Sequence, residues 1–227
     1  MHKTAFQKAA FHKAAARTPR HHDSAATREA ILQAAERIFA EEGLEGARTE
    51  AIAAAAGVNK ALLYYYFRSK NGLYRAVLED YSADFNRQVM EVLSSAGSAS
   101  CVLLRYINLH FDFIAAHRHH GPLFQRMLMT DEEAYVRLAR EQGLPRLKAL
   151  LKVIERGMRT GEFRRMDGTH AVISLVSLIV FFFSSATVLR AVGGIDPYAK
   201  VNVERRKKEV LEFVRYALFK NPESEVQ

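Results

Sequence analysis

Residues 49–67, "TEAIAAAAGVNKALLYYYF", restrict the fold more than any other stretch of this chain. Ile52, Ala53 and Ala56 recur at helical spacing, and Gly57 closes that run. Val58 and Asn59 then lead into a second run beginning at Lys60. The first run is short and rich in alanine, so another helix can pack closely against it. Two helices joined by a glycine-containing turn of about three or four residues have the helix-turn-helix layout, whose second helix enters the DNA major groove.

The second run holds four consecutive aromatic residues, Tyr64 to Phe67. Successive helix positions lie about 100° apart, so these rings cannot share one core. Leu63 and Phe67, at i and i+4, mark the buried face. Tyr65 then points almost directly outward, with Ala61 beside it, Leu62 and Arg68 on its flanks, and Tyr64 and Tyr66 on the boundaries. An outward tyrosine offers a hydroxyl to phosphate oxygens and ring surface to sugar or a thymine methyl. Lys60 at the start of the helix and Lys70 beyond its end can reach the flanking backbones, and small Ala61 admits close approach to the groove floor. A docked aromatic cluster is the competing account of Tyr64 and Tyr66, and a solvated charge that of Lys70.

Charge agrees with a polyanionic partner. The 227 residues carry 33 Lys and Arg against 25 Asp and Glu, a formal charge of +8 and a pI near 9.6. The single cysteine, Cys101, excludes an internal disulfide and a thiol metal cluster, and makes a reducing cytoplasm the natural compartment. Residues 1–22 hold five Lys or Arg, four His and no acid, with no continuous apolar run. They are expected to form a flexible basic arm rather than a signal peptide, either contacting DNA or simply solvated.

Upstream of the turn, "TREAILQAAERIFAEEG" has Ile31, Ala34, Ala35, Ile38 and Phe39 at helical spacing, with Thr27 as the expected N-cap and Gly43 as the stop. Residues 27–79 together resemble the DNA-binding domain of TetR-family transcriptional regulators. The motif follows A-A-x-x-I-F-A-E-x-G, then I-A-x-x-A-G-V, then L-Y-x-Y-F-x-S-K-x-x-L. The resemblance implies a phosphate contact from Thr49, base or backbone contacts from Lys60, Ala61, Leu62, Tyr64, Tyr65 and Tyr66, and a phosphate clamp from Lys70. Leu62 stands where many relatives carry a polar residue, which replaces a hydrogen bond with apolar contact. Glu50 stands where some relatives carry a basic residue, and its charge suits the helix N-terminus.

The remaining sequence reads as helices with no convincing strand, so the fold class is all-α: an N-terminal three-helix helix-turn-helix domain and a C-terminal helical ligand-binding and dimerisation domain. The expected division is residues 1–22 as arm, 23–72 as DNA-binding domain with its helix-turn-helix motif at about 48–67, and 73–227 as effector and dimerisation domain. Amphipathic residues 71–94 predict a linking helix, "SSAGSAS" a break, and further helices fall at about 99–118, 121–130, 131–160, 168–192 and 202–219. Residues 171–189 carry no charge, but five Ser and Thr dilute a run near the lower limit of a bilayer span. A helix buried against its own domain and a second subunit is the better account, with Phe182, Val210, Phe213 and Val214 as the expected homodimer interface.

Residues 106–129 mix aromatics and methionines with a few polar groups, the composition of a ligand pocket, and core packing explains the aromatics and methionines equally well. Phe85, His110, Phe113, Gln125 and Met127 are its expected lining, for a small and largely apolar effector. "HRHH" at 117–120 lacks a carboxylate or cysteine at ligand spacing, so no metal is expected. Nor is a cofactor: the G-x-S-x-G, P-loop, Rossmann and H-E-x-x-H signatures are absent, which argues against an enzyme. The whole predicts a homodimeric, ligand-responsive repressor of a palindromic operator. An activator or architectural DNA binder of the same fold, and an α-helical carrier or enzyme, are the alternatives.

Overall fold

The computed structural model of the protein describes residues 21–223. Of the expected basic arm, residues 1–20 lie outside them, and positions 21 and 22 open the first helix. The described residues form eleven α-helices and contain no strand, only an isolated bridge between Phe163 and Phe219. The helices are α1 His21–Gly46, α2 Thr49–Ala55, α3 Lys60–Phe67, α4 Lys70–Leu93, α5 Ala99–Ala116, α6 His120–Thr130, α7 Glu132–Leu138, α8 Leu144–Thr160, α9 Gly168–Ser184, α10 Ala186–Gly193 and α11 Lys200–Leu218.

Short polar side chains set many of these starts. Asn59 accepts from the Leu62 amide, Ser69 from Gly72, Ser98 from Cys101, Asp131 from Ala134 and Asp167 from His170, each satisfying an amide that the first turn leaves unpaired. Thr27 does no such capping, because α1 has already begun at His21. Gly43 does interrupt α1, with φ 75° and ψ 178°, a conformation open to glycine. Arg126 fills the space beside it, where a Cβ would strike the guanidinium.

Two expected helices prove to be composite. Residues 131–160 divide into α7, a π-helical turn at Ala139–Gly143, and α8, with Pro145 in the first turn of α8. Residues 168–192 break at Ser185 with a bend of 62° between α9 and α10. Among the described residues no single helix is long and apolar enough to cross a membrane.

The buried side chains form two clusters. The N-terminal one gathers Ile31, Phe39, Ile52, Leu63 and Phe67 with Leu73, Tyr74, Val77 and Leu78 of α4, and also takes in Leu123, Met127, Ala134 and Leu138 of α6 and α7. The C-terminal one is built from Phe85, Val89 and Leu93 of α4 with the inner faces of α5, α8, α9 and α11. The change from one core to the other therefore falls inside α4, between Leu78 and Tyr81.

α9 is apolar on two sides. Val172, Leu175, Ile179 and Phe183 face the core, whereas Ile173, Val180 and Phe181 are exposed. Exposed Val188 and Val192 of α10 and Val201, Phe213 and Tyr216 of α11 continue this pattern. The four residues expected to form the homodimer interface do not lie together. Phe213 is 59% exposed, but Val210 and Val214 are buried in their own subunit, since they share a lane with Val203 and Lys207 that packs inward. Phe182 is half-buried against the same core, with Arg206 over its ring.

Candidate nucleic-acid interface and ligand pocket

Leu63 and Phe67 anchor α3 in the N-terminal core and thereby fix its outer face. Tyr65 is 78% exposed, as the helical geometry requires. Tyr64 and Ala61 are exposed beside it, while Leu62 and Tyr66 lie half-buried at the margins. The Tyr65 and Tyr66 rings meet edge to face at 5.3 Å, which steadies the outward ring. Thr49 is buried beneath this surface, its hydroxyl 3.4 Å from that of Tyr64. The contact ties Thr49 to the recognition helix through Tyr64.

Two lysines are engaged within the chain. Lys60 forms an ion pair with Glu50 across the helix-turn-helix, and its ammonium lies 5.7 Å from the Tyr64 ring centroid. The hydrogen bond to Lys60 holds the Glu50 carboxyl below its ordinary range, and the same bond raises Lys60, so both stay charged across working pH. Lys70 donates to the Glu45 carbonyl at 3.1 Å and the Ala47 carbonyl at 3.3 Å, closing the joint between α1 and α2. Of the eight expected contact residues, Lys60, Ala61, Tyr64 and Tyr65 thus share one open face. Glu50 is the added member. Its opposite charge ten positions before Lys60, across a tight glycine turn, was the available signal.

The expected pocket residues separate into three places. Phe85, His110 and Phe113 come together, with Phe85 ring centroids 4.7 Å from both partners. His110 Nδ1 lies 3.0 Å from the Tyr106 hydroxyl, and burial pushes the imidazole pKa down to about 3, leaving it neutral. Burial also raises the Tyr81 and Tyr106 phenols. Arg146 of α8 covers the Phe85 ring at 4.9 Å. Nothing in the sequence separates this arginine from the chain's other basic residues, and only packing reveals it.

Gln125 faces a different space, a cleft of about 310 Å³ between α6 and the α9–α10 bend, lined by Arg118, Pro122, Phe183, Arg190 and Tyr198. Met127 is 2% exposed and packs in the N-terminal core, where it lines a small cleft of about 140 Å³ with Leu44, Tyr74 and Asp131, apart from the aromatic site. α6 is held there by further contacts. The Tyr74 hydroxyl donates to the Leu123 carbonyl at 2.8 Å, and Arg75 pairs with Asp131 at 3.0 Å. On its other side Phe124 meets Tyr81 at 5.6 Å, next to Phe113.

Residues 31–77 match the profile of bacterial regulatory proteins, tetR family, and residues 103–214 match that of the tetracyclin repressor-like C-terminal domain. The HTH-type transcriptional repressor NicS of Pseudomonas putida is 30% identical over 177 residues, 75% of this chain and 82% of that protein. The HTH-type transcriptional regulator RutR of Escherichia coli K12 is 26% identical over 198 residues, 84% of this chain and 91% of its own. The regulator FadR from Bacillus subtilis, solved in complex with stearoyl-CoA, superposes with a TM-score of 0.67 at 20% identity, covering 82% of this chain and 96% of that one, which establishes a shared fold. With an exposed aromatic recognition helix, both domain profiles in order and 30% identity across most of a repressor, this chain belongs to the TetR family of bacterial transcriptional regulators.

Proposed function

We propose that the protein is a homodimeric repressor that places α3 of each subunit in the major groove of a palindromic operator and lets go when a small effector enters the site between α4, α5 and α8. The observation that carries this reading is the double membership of α4. Its Leu73, Tyr74, Val77 and Leu78 are packed with the recognition helix, and its Phe85 is part of the aromatic site. Leu73 and Phe85 lie about 18 Å apart along one rigid helix, so a tilt at one end must appear at the other.

An operator with half-sites one turn apart needs the two recognition helices about 34 to 36 Å apart. An effector that fits only the tilted form would shift the population away from that spacing. Subunits pair in this reading through exposed Ile173, Val180 and Phe181 of α9 and Phe213 and Tyr216 of α11. The choice of repressor over activator is supported by relatives named as repressors, NicS among them. The reading contains no catalytic step, and its place of action is cytoplasmic DNA.

Genomic footprinting with the purified protein tests it. A palindromic protected site that overlaps a promoter and blocks polymerase in vitro is the expected result. Sequence-blind binding with strong bending would instead make the protein architectural.

A further inference from the structure

Next to the aromatic site a cation stands without an anion. Arg146 opens α8 directly after the π-helical turn at Ala139–Gly143, an irregularity that recurs at functional sites. Its guanidinium lies over the Phe85 ring at 4.9 Å, and its hydrogen bond to the Ser82 carbonyl is stretched to 3.4 Å. Among the described residues no Asp or Glu pairs with it. The ionisable groups that influence it are the phenols of Tyr81 and Tyr106, and burial disfavours its charge. A guanidinium stays protonated and offers five N–H donors in a rigid fork, so one long hydrogen bond to the protein leaves the others to water or an incoming anion. A partly desolvated charge left this way is costly unless an anion arrives to meet it.

The cleft at Gln125 is linked to this cation through packed rings. Phe124, next to the cleft residue Gln125, meets Tyr81 at 5.6 Å, Tyr81 meets Phe113 at 5.0 Å, and Phe113 meets Phe85, over which Arg146 lies. Arg118 and Arg190 stand at the cleft, with Arg190 paired to Asp196 at 2.8 Å. A second cleft that reaches Tyr81, about 290 Å³ between α1 and α4, is lined by Glu29, Glu36, Asp80 and Asp84 and has the wrong sign for an anion.

We propose that the effector is a carboxylate with an aromatic or aliphatic body, held by the Arg146 fork with its body against Phe85 and Phe113. This identifies the ligand class of the site in the preceding section and rests on that reading. The planar fork recognises a carboxylate bidentately, whereas the isosteric amide has a single acceptor and brings no charge.

Matched pairs of probes test the assignment on the full-length dimer: benzoate against benzamide and hexanoate against hexanamide, read as thermal shift and by calorimetric titration. The acids are expected to bind and stabilise while their amides do not. Arg146→Gln should weaken acid binding by about ten- to hundred-fold, and Arg146→Lys should retain part of it. Circular dichroism and sedimentation confirm that both variants fold. Amides that bind as well as acids, acids that bind Arg146→Gln undiminished, or wild type that answers to neither member at millimolar concentration would overturn the proposal. Footprinted DNA separates this from the repressor reading. Acids that bind through Arg146 yet leave DNA affinity unchanged uphold the site and sink the induction step, whereas a neutral compound that releases DNA from wild type and Arg146→Gln alike does the reverse.

Discussion

Phe181 and Val210 belong to the same apolar end of the molecule and should answer a glutamate substitution in opposite ways. Phe181 is 70% exposed in the subunit, and Val210 is 1% exposed. A phenylalanine side chain has roughly 200 Å² to bury, so pairing of two subunits over Phe181 removes up to about 140 Å² per copy. At about 25 cal/mol per Å² that is roughly 3.5 kcal/mol, and a two-fold axis counts it twice, for about 7 kcal/mol. Even half that coverage loosens the dimer by between about two and three orders of magnitude. Phe181→Glu forfeits this and adds a carboxylate to be desolvated. The expected product is a folded monomer, with far-UV circular dichroism like wild type and a monomeric sedimentation coefficient at micromolar concentration. Val210→Glu should instead unfold the subunit, and half-buried Phe182→Glu should lower its melting temperature before it separates the pair. An undisturbed dimer for Phe181→Glu would place the interface on another face.

Tyr65→Ala should weaken operator binding by about 1 to 3 kcal/mol in fluorescence anisotropy while leaving sedimentation unchanged, and equal affinity would mean that the ring serves something else. Glu50→Gln should release Lys60, tighten binding to every DNA sequence, and steepen the salt dependence by about one counterion; an unaltered slope would show that Lys60 stays away from phosphate. His110 links stability to acid. Its folded pKa lies at about 3 against an ordinary 6.5, so the unfolded chain takes up a proton that the folded one refuses, and stability falls as pH drops through that window. His110→Gln should flatten this slope in urea melts at neutral and mildly acidic pH, and an identical slope would relieve His110 of the role.

The recognition helix was legible because its geometry is local. Leu63 and Phe67 fix the inner face, and the outward direction of Tyr65 follows from angular spacing alone. The fate of apolar side chains that lie on two lanes of one helix was not. In α11 the lane of Val203, Val210 and Val214 and the lane of Phe213 and Tyr216 are both apolar, and only the placement of α5 and α9 decides which is internal. Met127 meets a related limit: its type suits either a pocket or a core, and the seating of α6 against the N-terminal helices is a long-range fact. Lys70 shows the same limit, since the carbonyls it caps belong to residues up to 25 positions earlier. The break at Ser185 has neither glycine nor proline to announce it.

Because α4 enters both cores, the molecule has no seam along which its halves could be exchanged. A recombination point at residue 72 would strip Leu73, Tyr74, Val77 and Leu78 from the helices that carry the recognition surface, and would leave Leu123 and Met127 of α6 facing a stranger's side chains. A working chimera would need its junction beyond Leu78 and would have to bring α6 and α7 with it, although they lie some fifty residues downstream of α4's N-terminal half. Lineages of this chain that acquire new effectors are therefore expected to do so by replacing residues in place, around Phe85, Phe113 and Arg146, rather than by trading whole modules.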